Sequence, residues 1–223
     1  MSHTDLSLPS IETAPQRPTQ LALIRHGEVE AAYQRVFGGR IDMNLSPLGH
    51  EQAAALAKWL ARQPLNAVYA SPMKRVQQTL APFATSSGWS ERVVTVPGLR
   101  EVDFGDWTGL SWETVSKKFG VSAFQWLTEL ERGGIANAEN ARSYRGRVEP
   151  FIDEILQKHP GENVAIFCHG GVIRMILSIL LSIPLPRMAG FEIDYASVTN
   201  IAILPHKREV QFQNFTPWDE PSL

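Results

Sequence analysis

The sequence predicts an α/β fold, a single-domain three-layer sandwich whose mostly parallel sheet carries helices on both faces. Two apolar runs, "LALI" at residues 21–24 and "VAIFC" at residues 164–168, show no polar alternation and are typical of strands buried on both faces. Segments with helical spacing of apolar residues alternate with the strand candidates along the chain. This alternation favours a parallel sheet with helices packed on each side.

Two Ser-Pro pairs indicate helix starts. Ser46 and Pro47 precede an apolar stripe with helical spacing, and "SPMKRVQQTLAPF" from Ser71 follows the short strand candidate "NAVYAS" at residues 66–71. A serine oxygen that accepts from the first free amides and a proline in the first turn are both favoured at helix N-termini. We therefore predict helices that begin at both pairs.

The remaining elements follow in chain order. Residues 92–96 ("RVVTV") form a third strand candidate, and the aromatic-rich residues 108–131 predict short helices. Residues 144–156 keep a helical period, in which Pro150 either kinks the helix or marks its start because it lacks an amide hydrogen. "VIRMILSILL" is a helix, and the segments "SVTNIAIL" and "EVQFQNF" close the sheet as a pair of strands.

One domain is predicted at residues 20–215, between flexible tails at residues 1–19 and 216–223. The N-terminal tail holds several prolines, serines and threonines and has no apolar core of signal-peptide length. The most apolar window, residues 172–183, is interrupted by Arg174 and is too short for a membrane span. We therefore expect a cytoplasmic protein.

Composition and charge exclude several kinds of partner and site. The 223 residues are 43% hydrophobic and 20% charged, which is ordinary for a soluble globular protein. A formal net charge of −2 provides no general attraction to nucleic acid or to an anionic membrane, so neither is a predicted partner. Cys168 is the only cysteine, which excludes an internal disulfide and a thiolate metal cluster. Its apolar surroundings favour an inert buried thiol.

Both predicted core strands end in a histidine followed by glycine. Ligands of open α/β sheets bind beyond the carboxyl ends of the strands, so His26 and His169 would face each other if the two strands are neighbours. Arg25 and the N-terminus of a helix that opens at Gly170 would add positive charge. Together these groups favour a tetrahedral dianion such as a phosphoryl group. Three glycines beside the histidines would let it approach the backbone closely: Gly27, Gly170 and Gly171.

The chain resembles the histidine phosphatase superfamily, which also contains the cofactor-dependent phosphoglycerate mutases. Five segments carry the resemblance in order: "RHGE" from Arg25, "LSPLGHEQA" from Leu45, "YASPMKRVQQT" from Tyr69, "LREVDFGDWTG" from Leu99 and "CHGGVIR" from Cys168. They span about residues 21–204. The resemblance implies a phosphoglycerate mutase-like fold and a phosphomonoesterase that needs no cofactor and no metal. The short length of the chain and its "FGDWTG" segment are similar to those of α-ribazole phosphatases and broad-specificity phosphatases.

The resemblance also implies roles for individual residues. His26 would be the nucleophile that becomes phosphohistidine, and Glu101 would be the proton donor, with Asp103 as its main rival. Phosphoryl transfer needs an in-line nucleophile and compensation for charge on three equatorial oxygens, and it asks little else of the protein. A neutral imidazole can attack if its other nitrogen donates to a backbone carbonyl. The phosphoryl oxygens would be held by Arg25, Arg75 and His169.

The predicted partner is a small phosphorylated substrate or inorganic phosphate, and a homodimer is left open. Gly38 and Gly39 precede Arg40 in a segment that could overhang the phosphate. Arg40 would either meet a second anionic group or remain a solvated surface arginine. Four aromatic residues could stack on a base or sugar or belong to the core: Trp107, Trp112, Phe124 and Trp126.

Three other interpretations remain open. A phosphoglycerate mutase typically carries "ERHYG" around its acid and a longer insertion before its second histidine, whereas this chain has "EVDFGDW" and a short segment, which favours a phosphatase. A non-catalytic phosphometabolite-binding domain would be expected to have lost His26 or Glu101. A zinc site on those two residues and His169 is chemically conceivable, but Arg25 and Arg75 would repel the cation.

Overall fold

A computed structural model describes residues 17–219 and contains one six-stranded sheet. The strand bounds are β1 (Thr19–Arg25), β2 (Ala67–Ala70), β3 (Val94–Thr95), β4 (Asn163–Cys168), β5 (Val198–Leu204) and β6 (Lys207–Phe215). The strands lie in the order β3-β2-β4-β1-β5-β6, with β1 to β4 parallel and the last two antiparallel to their neighbours. This arrangement confirms the predicted mostly parallel sheet.

Helices cover both faces of the sheet, which confirms the three-layer sandwich. Alternate side chains of β1 and β4 point to opposite faces and enter two separate apolar clusters. The helices are α1 (Pro47–Leu60), α2 (Lys74–Ser86), α3 (Trp112–Phe119), α4 (Trp126–Arg132), α5 (Ala141–Lys158) and α6 (Gly170–Leu181). One apolar cluster includes residues of α1 and α2, and the other includes residues of α3 to α6. Within the described residues, no helix is both long and apolar enough to span a membrane.

The two Ser-Pro pairs differ in what they do. Ser46 is the N-cap of α1, where its hydroxyl accepts from the Gly49 amide, and Pro47 occupies the first turn, as predicted. The predicted start at Ser71 is wrong, because α2 begins only at Lys74, after Met73. The Ser71 hydroxyl is instead within hydrogen-bond distance of His169, the residue that follows β4.

Two other element predictions are refined. The helix around Pro150 starts at Ala141, with the Asn140 side chain accepting from the Ser143 amide, so Pro150 lies inside α5 and does not begin it. The third strand is only two residues long and pairs with β2. The aromatic-rich segment forms α3 and α4 as predicted, with a short 3-10 turn at Ala123–Gln125 between them.

The pairing of β1 with β4 fixes the position of the site. Arg25 is in register with Cys168, and the His26 amide donates to the Cys168 carbonyl. His26 and His169 therefore leave the sheet side by side at the carboxyl edge. α6 begins directly after β4, at Gly170, as predicted.

The predicted tails lie largely outside the described residues. The described chain begins at residue 17, and β1 starts at Thr19, one residue before the predicted domain boundary. At the other end Trp218, within the predicted C-terminal tail, donates its indole hydrogen to the Tyr195 carbonyl. Residues 1–16 and 220–223 are not among the described residues.

Candidate active site

His26 has one ring nitrogen fixed and the other directed at the cavity beyond the sheet. Its Nδ1 lies 2.8 Å from the carbonyl oxygen of Gly27, and since a carbonyl only accepts, Nδ1 carries the hydrogen. Nε2 therefore carries no hydrogen, and its lone pair accepts a hydrogen bond from Arg75 Nε at 3.2 Å. Burial, then Arg75 and Arg25, hold the pKa of His26 well below its usual value of 6.5. The ring is thus neutral at pH 7.

His169 lies beside His26 and is completely buried. The two ring centroids are 5.3 Å apart. Its Nε2 lies 2.9 Å from Ser71 Oγ, and its Nδ1 is buried without a partner among residues 17–219. Burial, followed by Arg75 and His26, lowers its pKa as well. Ser71, which fixes this ring, was missed because its proline neighbour indicated a helix cap.

Arg25 and Arg75 are held by neutral groups. Arg75 donates to the carbonyls of Gly39 and Ile41 at 3.0 and 2.9 Å, and burial lowers its pKa to about 10. Arg25 donates to the carbonyl of Ile193 at 2.6 Å, and its guanidinium lies 4.0 Å from the centre of the Tyr195 ring. Its Nε is buried and unpartnered within the described part of the chain. Both guanidinium groups line the cavity.

A third arginine, Arg174, lines the same cavity and was not assigned a role from the sequence. It follows Gly170 by one helical turn and donates to the carbonyls of Gly170 and Phe191 at 3.2 and 2.9 Å. Burial, then the charge of Arg25, lowers its pKa to about 10. Its Nε, like that of Arg25, is a buried donor unpartnered by any residue from 17 to 219. The "CHGGVIR" segment contained the signal, since position i+4 of a helix lies over its first turn.

Glu101 occupies the amino end of α6. One carboxylate oxygen accepts from the Gly171 amide at 3.1 Å, where the helix dipole favours negative charge. The other accepts from the Val102 amide at 3.0 Å and from the Tyr144 hydroxyl at 3.4 Å. Burial, then the charge of Glu101, raises the pKa of Tyr144, so this phenol remains a donor. Glu101 lines the cavity together with His26.

The loop that carries Glu101 is fastened to α5 by Arg147. The guanidinium donates to three carbonyls of this loop, those of Gly98, Arg100 and Glu101, at 2.5, 2.7 and 3.3 Å. It also pairs with both carboxylate oxygens of Glu139. The position of Glu101 thus depends on a residue that does not line the cavity.

Two predicted residues lie outside the cavity lining: Asp103, the rival of Glu101 as proton donor, and Arg40, a candidate for binding a second anionic group. Asp103 accepts from the Gly105 amide through one oxygen, and its other oxygen is 3.9 Å from Arg40. Arg40 is also 3.8 Å from Glu139, and its side chain is 49% exposed. Of the two alternatives for Arg40, this placement favours a solvated surface arginine, because its side chain pairs loosely with acids at the surface.

The predicted glycines divide into two groups. Gly38, Gly39 and Gly170 line the cavity. Gly27 does not line it; a Cβ there would lie 2.7 Å from the Gly49 carbonyl oxygen, so its small size serves packing against α1. Gly171 is likewise outside the lining and lacks room for a Cβ beside the Glu101 carboxylate, to which its amide donates.

The cavity is much larger than a phosphoryl group. Its volume is about 610 Å³, within the range of pockets that bind drug-sized ligands. The three arginines and His26 lie at its base, and Trp112, Phe124 and Trp126 line it further out. Of the four predicted aromatic residues, only Trp107 is a buried core residue outside the lining. Among residues 17–219, no three His, Cys, Asp or Glu side chains are arranged to hold a metal ion.

Comparison with known proteins shows similarity to phosphatases along most of the chain. Phosphoserine phosphatase 1 of Hydrogenobacter thermophilus is 28% identical over 197 residues, which cover 88% of this chain and 92% of that protein. The adenosylcobalamin/alpha-ribazole phosphatase of Salmonella typhimurium is 26% identical over 175 residues, or 78% and 86% of the two chains.

A similar fold is found in a solved structure of mycobacterial glucosyl-3-phosphoglycerate phosphatase in complex with inorganic phosphate. The TM-score is 0.75 with 21% identity, over 91% of this chain and 100% of that one. The family description "Histidine phosphatase superfamily (branch 1)" matches residues 21–216. The predicted resemblance and enzyme class are thus confirmed: this chain belongs to the histidine phosphatase superfamily, branch 1, and is a hydrolase of the phosphatase type.

Proposed function

We propose that this protein hydrolyses small phosphorylated metabolites through a phosphohistidine intermediate on His26. The observation that carries the proposal is the orientation of that ring. Its Nδ1 donates to the Gly27 carbonyl, and its Nε2 lone pair faces Arg75 at the base of the cavity. A fixed neutral tautomer is what an imidazole nucleophile requires.

In the first step, Nε2 of His26 attacks phosphorus and the ester P–O bond breaks. Charge on the three equatorial oxygens is compensated by Arg25, Arg75 and His169. The His169 ring lies beside that of His26, and its Nδ1 is buried without a hydrogen-bond partner among the described residues. The departing alkoxide takes a proton from Glu101, whose protonated form is favoured over the carboxylate by the negative charge of a bound phosphoryl group. The products are a phosphohistidine, the free alcohol and a Glu101 carboxylate.

In the second step, water attacks phosphorus and the P–Nε2 bond breaks. Glu101, now a carboxylate, takes a proton from that water, which returns it to its starting state. Inorganic phosphate leaves and His26 regains its neutral form with the hydrogen on Nδ1. One acid therefore serves both half-reactions.

Hydrolysis is favoured over transfer to a second alcohol by the openness of the site. A mutase has to shelter phosphohistidine from water, which requires covering structure. Here the cavity lining includes aromatic side chains that are exposed to solvent, Trp112 and Phe124. The relatives named above are phosphatases, which supports the same choice. Assaying phosphate release beside isomerisation of 3-phosphoglycerate separates the two activities.

The test compares His26→Ala and Glu101→Gln with wild type, using phosphate release from an alkyl and a p-nitrophenyl ester. His26→Ala should lose turnover of both esters. Glu101→Gln should lose about 10²–10⁴-fold with the alkyl ester and less with p-nitrophenyl phosphate, whose leaving group needs no proton. His206→Ala, an exposed histidine in the β5–β6 turn, is the matched control and should retain activity. Full turnover by His26→Ala, or loss of activity in a chelator, would contradict the proposal.

A further inference from the structure

The outer part of the cavity is lined by an aromatic mouth, defined here as Trp112, Phe124 and Trp126. Trp112 is 38% and Phe124 74% exposed, and their rings meet edge to face with centroids 5.5 Å apart. Exposed aromatic rings leave apolar area in water, which is unfavourable unless a ligand covers it. Both rings line the cavity that contains His26.

Aromatic contacts connect this mouth with the phosphoryl site. Gly39, whose carbonyl accepts from Arg75, packs closely against the Phe104 ring. Phe104 in turn meets Trp126 edge to face at 5.2 Å between centroids. A ligand whose phosphoryl group lies at Arg75 would therefore extend along an aromatic wall toward Trp112 and Phe124.

The two exposed rings are held by local backbone structure. Trp112 is the first residue of α3, and its amide donates to the Arg35 carbonyl at 2.8 Å. Phe124 lies in a 3-10 turn, where the Gln125 side chain accepts from the Ser122 amide and the Ser122 hydroxyl accepts from the amide of Phe124 itself. Rings on a fixed backbone lose little freedom when they bind a flat group.

Charges on the outer lining do not favour a second anionic group. Besides the three arginines, His26 and Glu101, the charged residues of the cavity lining are one cation, Arg35, and two carboxylates, Glu192 and Asp194. The three arginines that would attract anions lie at the base, beside His26. A neutral, flat group suits this outer lining better than a carboxylate or a second phosphate.

We propose that the aromatic mouth binds a planar aromatic group in the alcohol part of the substrate. The preferred substrates are then phosphomonoesters of nucleoside-like alcohols, and compact esters such as O-phosphoserine fill only the base of the cavity. This inference rests on the proposed phosphatase function and specifies the leaving group of the substrate as an alcohol that carries a planar aromatic group. Stacking of a base on aromatic side chains typically changes affinity about 5- to 100-fold.

The test uses adenosine 5′-monophosphate and ribose 5-phosphate, which are both primary alkyl esters and differ in the aromatic base. Wild type should show a kcat/KM at least about tenfold higher for the nucleotide. In Trp112→Ala and Phe124→Ala this advantage should fall about 5- to 100-fold, mainly through KM, while hydrolysis of ribose 5-phosphate stays within about twofold. Phe119→Ala is the matched control, since Phe119 lies on the same helix, is also 38% exposed and is outside the cavity lining.

Binding provides a readout that needs no turnover. Calorimetric titration of His26→Ala with both ligands should show the same preference for the nucleotide, and Trp112→Ala added to that chain should remove it. Equal affinity for both ligands in His26→Ala, or equal kcat/KM in wild type, would overturn the inference. Hydrolysis of both esters through His26 at equal kcat/KM would contradict this inference and support the proposed function. Preferred binding of the nucleotide without any His26-dependent turnover would contradict only the proposed function.

Discussion

Buried arginines without carboxylate partners are the residue-scale feature that most needs an explanation. Arg75 is 3% exposed, and its hydrogen bonds go to two carbonyls and a neutral histidine. Within residues 17–219, no carboxylate lies within 4 Å of Arg25, Arg75 or Arg174 in an ion pair. Burying a cation without a counter-charge costs several kcal/mol, and an anionic ligand would offset that cost.

We predict that Arg75→Lys lowers kcat/KM about 10²–10³-fold for every ester. Lysine retains the charge but cannot reach Gly39, Ile41 and a phosphoryl oxygen at the same time, because it lacks the planar fork. Steady-state phosphate release is the measurement. Arg40→Lys serves as the control, since Arg40 is half exposed and outside the cavity, and it should behave as wild type. An equally large loss in Arg40→Lys would show that the effect is not specific to the site.

The two buried histidines should make stability depend on pH. Burial lowers both pKa values below 6.5, so between 6.5 and the lowered values the unfolded chain binds protons that the folded chain does not. The free energy of unfolding should therefore fall as the pH is lowered through and below 6.5, beyond the loss due to other groups. Urea unfolding at pH 7.5 and 5.5 measures it. The loss should be smaller in His26→Gln, and an unchanged slope would contradict this assignment.

At the scale of single elements, the two Ser-Pro pairs show what local sequence can and cannot predict. Ser46-Pro47 and Ser71-Pro72 have the same local helix-start pattern, yet only the first begins a helix. The difference is tertiary, because strand pairing brings His169 within 2.9 Å of the Ser71 hydroxyl. No periodicity within residues 66–86 indicates that contact.

These two serines should respond differently to removal of the hydroxyl. Ser46→Ala loses an N-cap and should lower the free energy of unfolding by about 1 kcal/mol with kcat unchanged. Ser71→Ala leaves the buried His169 Nε2 unpartnered, so it should lower stability by about 1–3 kcal/mol and kcat as well. Chemical denaturation and phosphate release measure both quantities. Loss of stability with wild-type kcat in Ser71→Ala would show that Ser71 does not orient His169 for the reaction.

Helix α5 contributes to the site through Arg147, which fastens the loop carrying Glu101. Arg147→Lys cannot reach the carbonyls of Gly98, Arg100 and Glu101 together, so Glu101 should lose its fixed position. We expect kcat to fall about 10- to 100-fold for an alkyl ester and less for p-nitrophenyl phosphate, because the loss concerns proton donation. Arg145→Lys on the same helix is the control. Equal losses for both esters would show general distortion of the site.

At the scale of the whole molecule, the sequence predicts that His26 and His169 face each other on the condition that their two strands are neighbours. Each histidine follows an apolar run, and the pairing of β1 with β4 meets that condition. Glu101 and Arg75 were assigned through the family resemblance. Arg174 could have been found from its helical spacing, one turn after Gly170. Ser71 and the division of the aromatic residues between core and mouth depend on how loops from distant parts of the chain pack together, for which the sequence carries no period.

The most direct test of the account is to trap the phosphoryl group on the enzyme. Wild type is mixed rapidly with a ³²P-labelled ester, quenched in alkaline denaturant that preserves phosphohistidine, and digested for peptide mapping. We expect label on the peptide that contains His26 in wild type, slower labelling of the same peptide in His169→Asn, and no label in His26→Ala. Label on a peptide without His26, or turnover by His26→Ala at the wild-type rate, would contradict it.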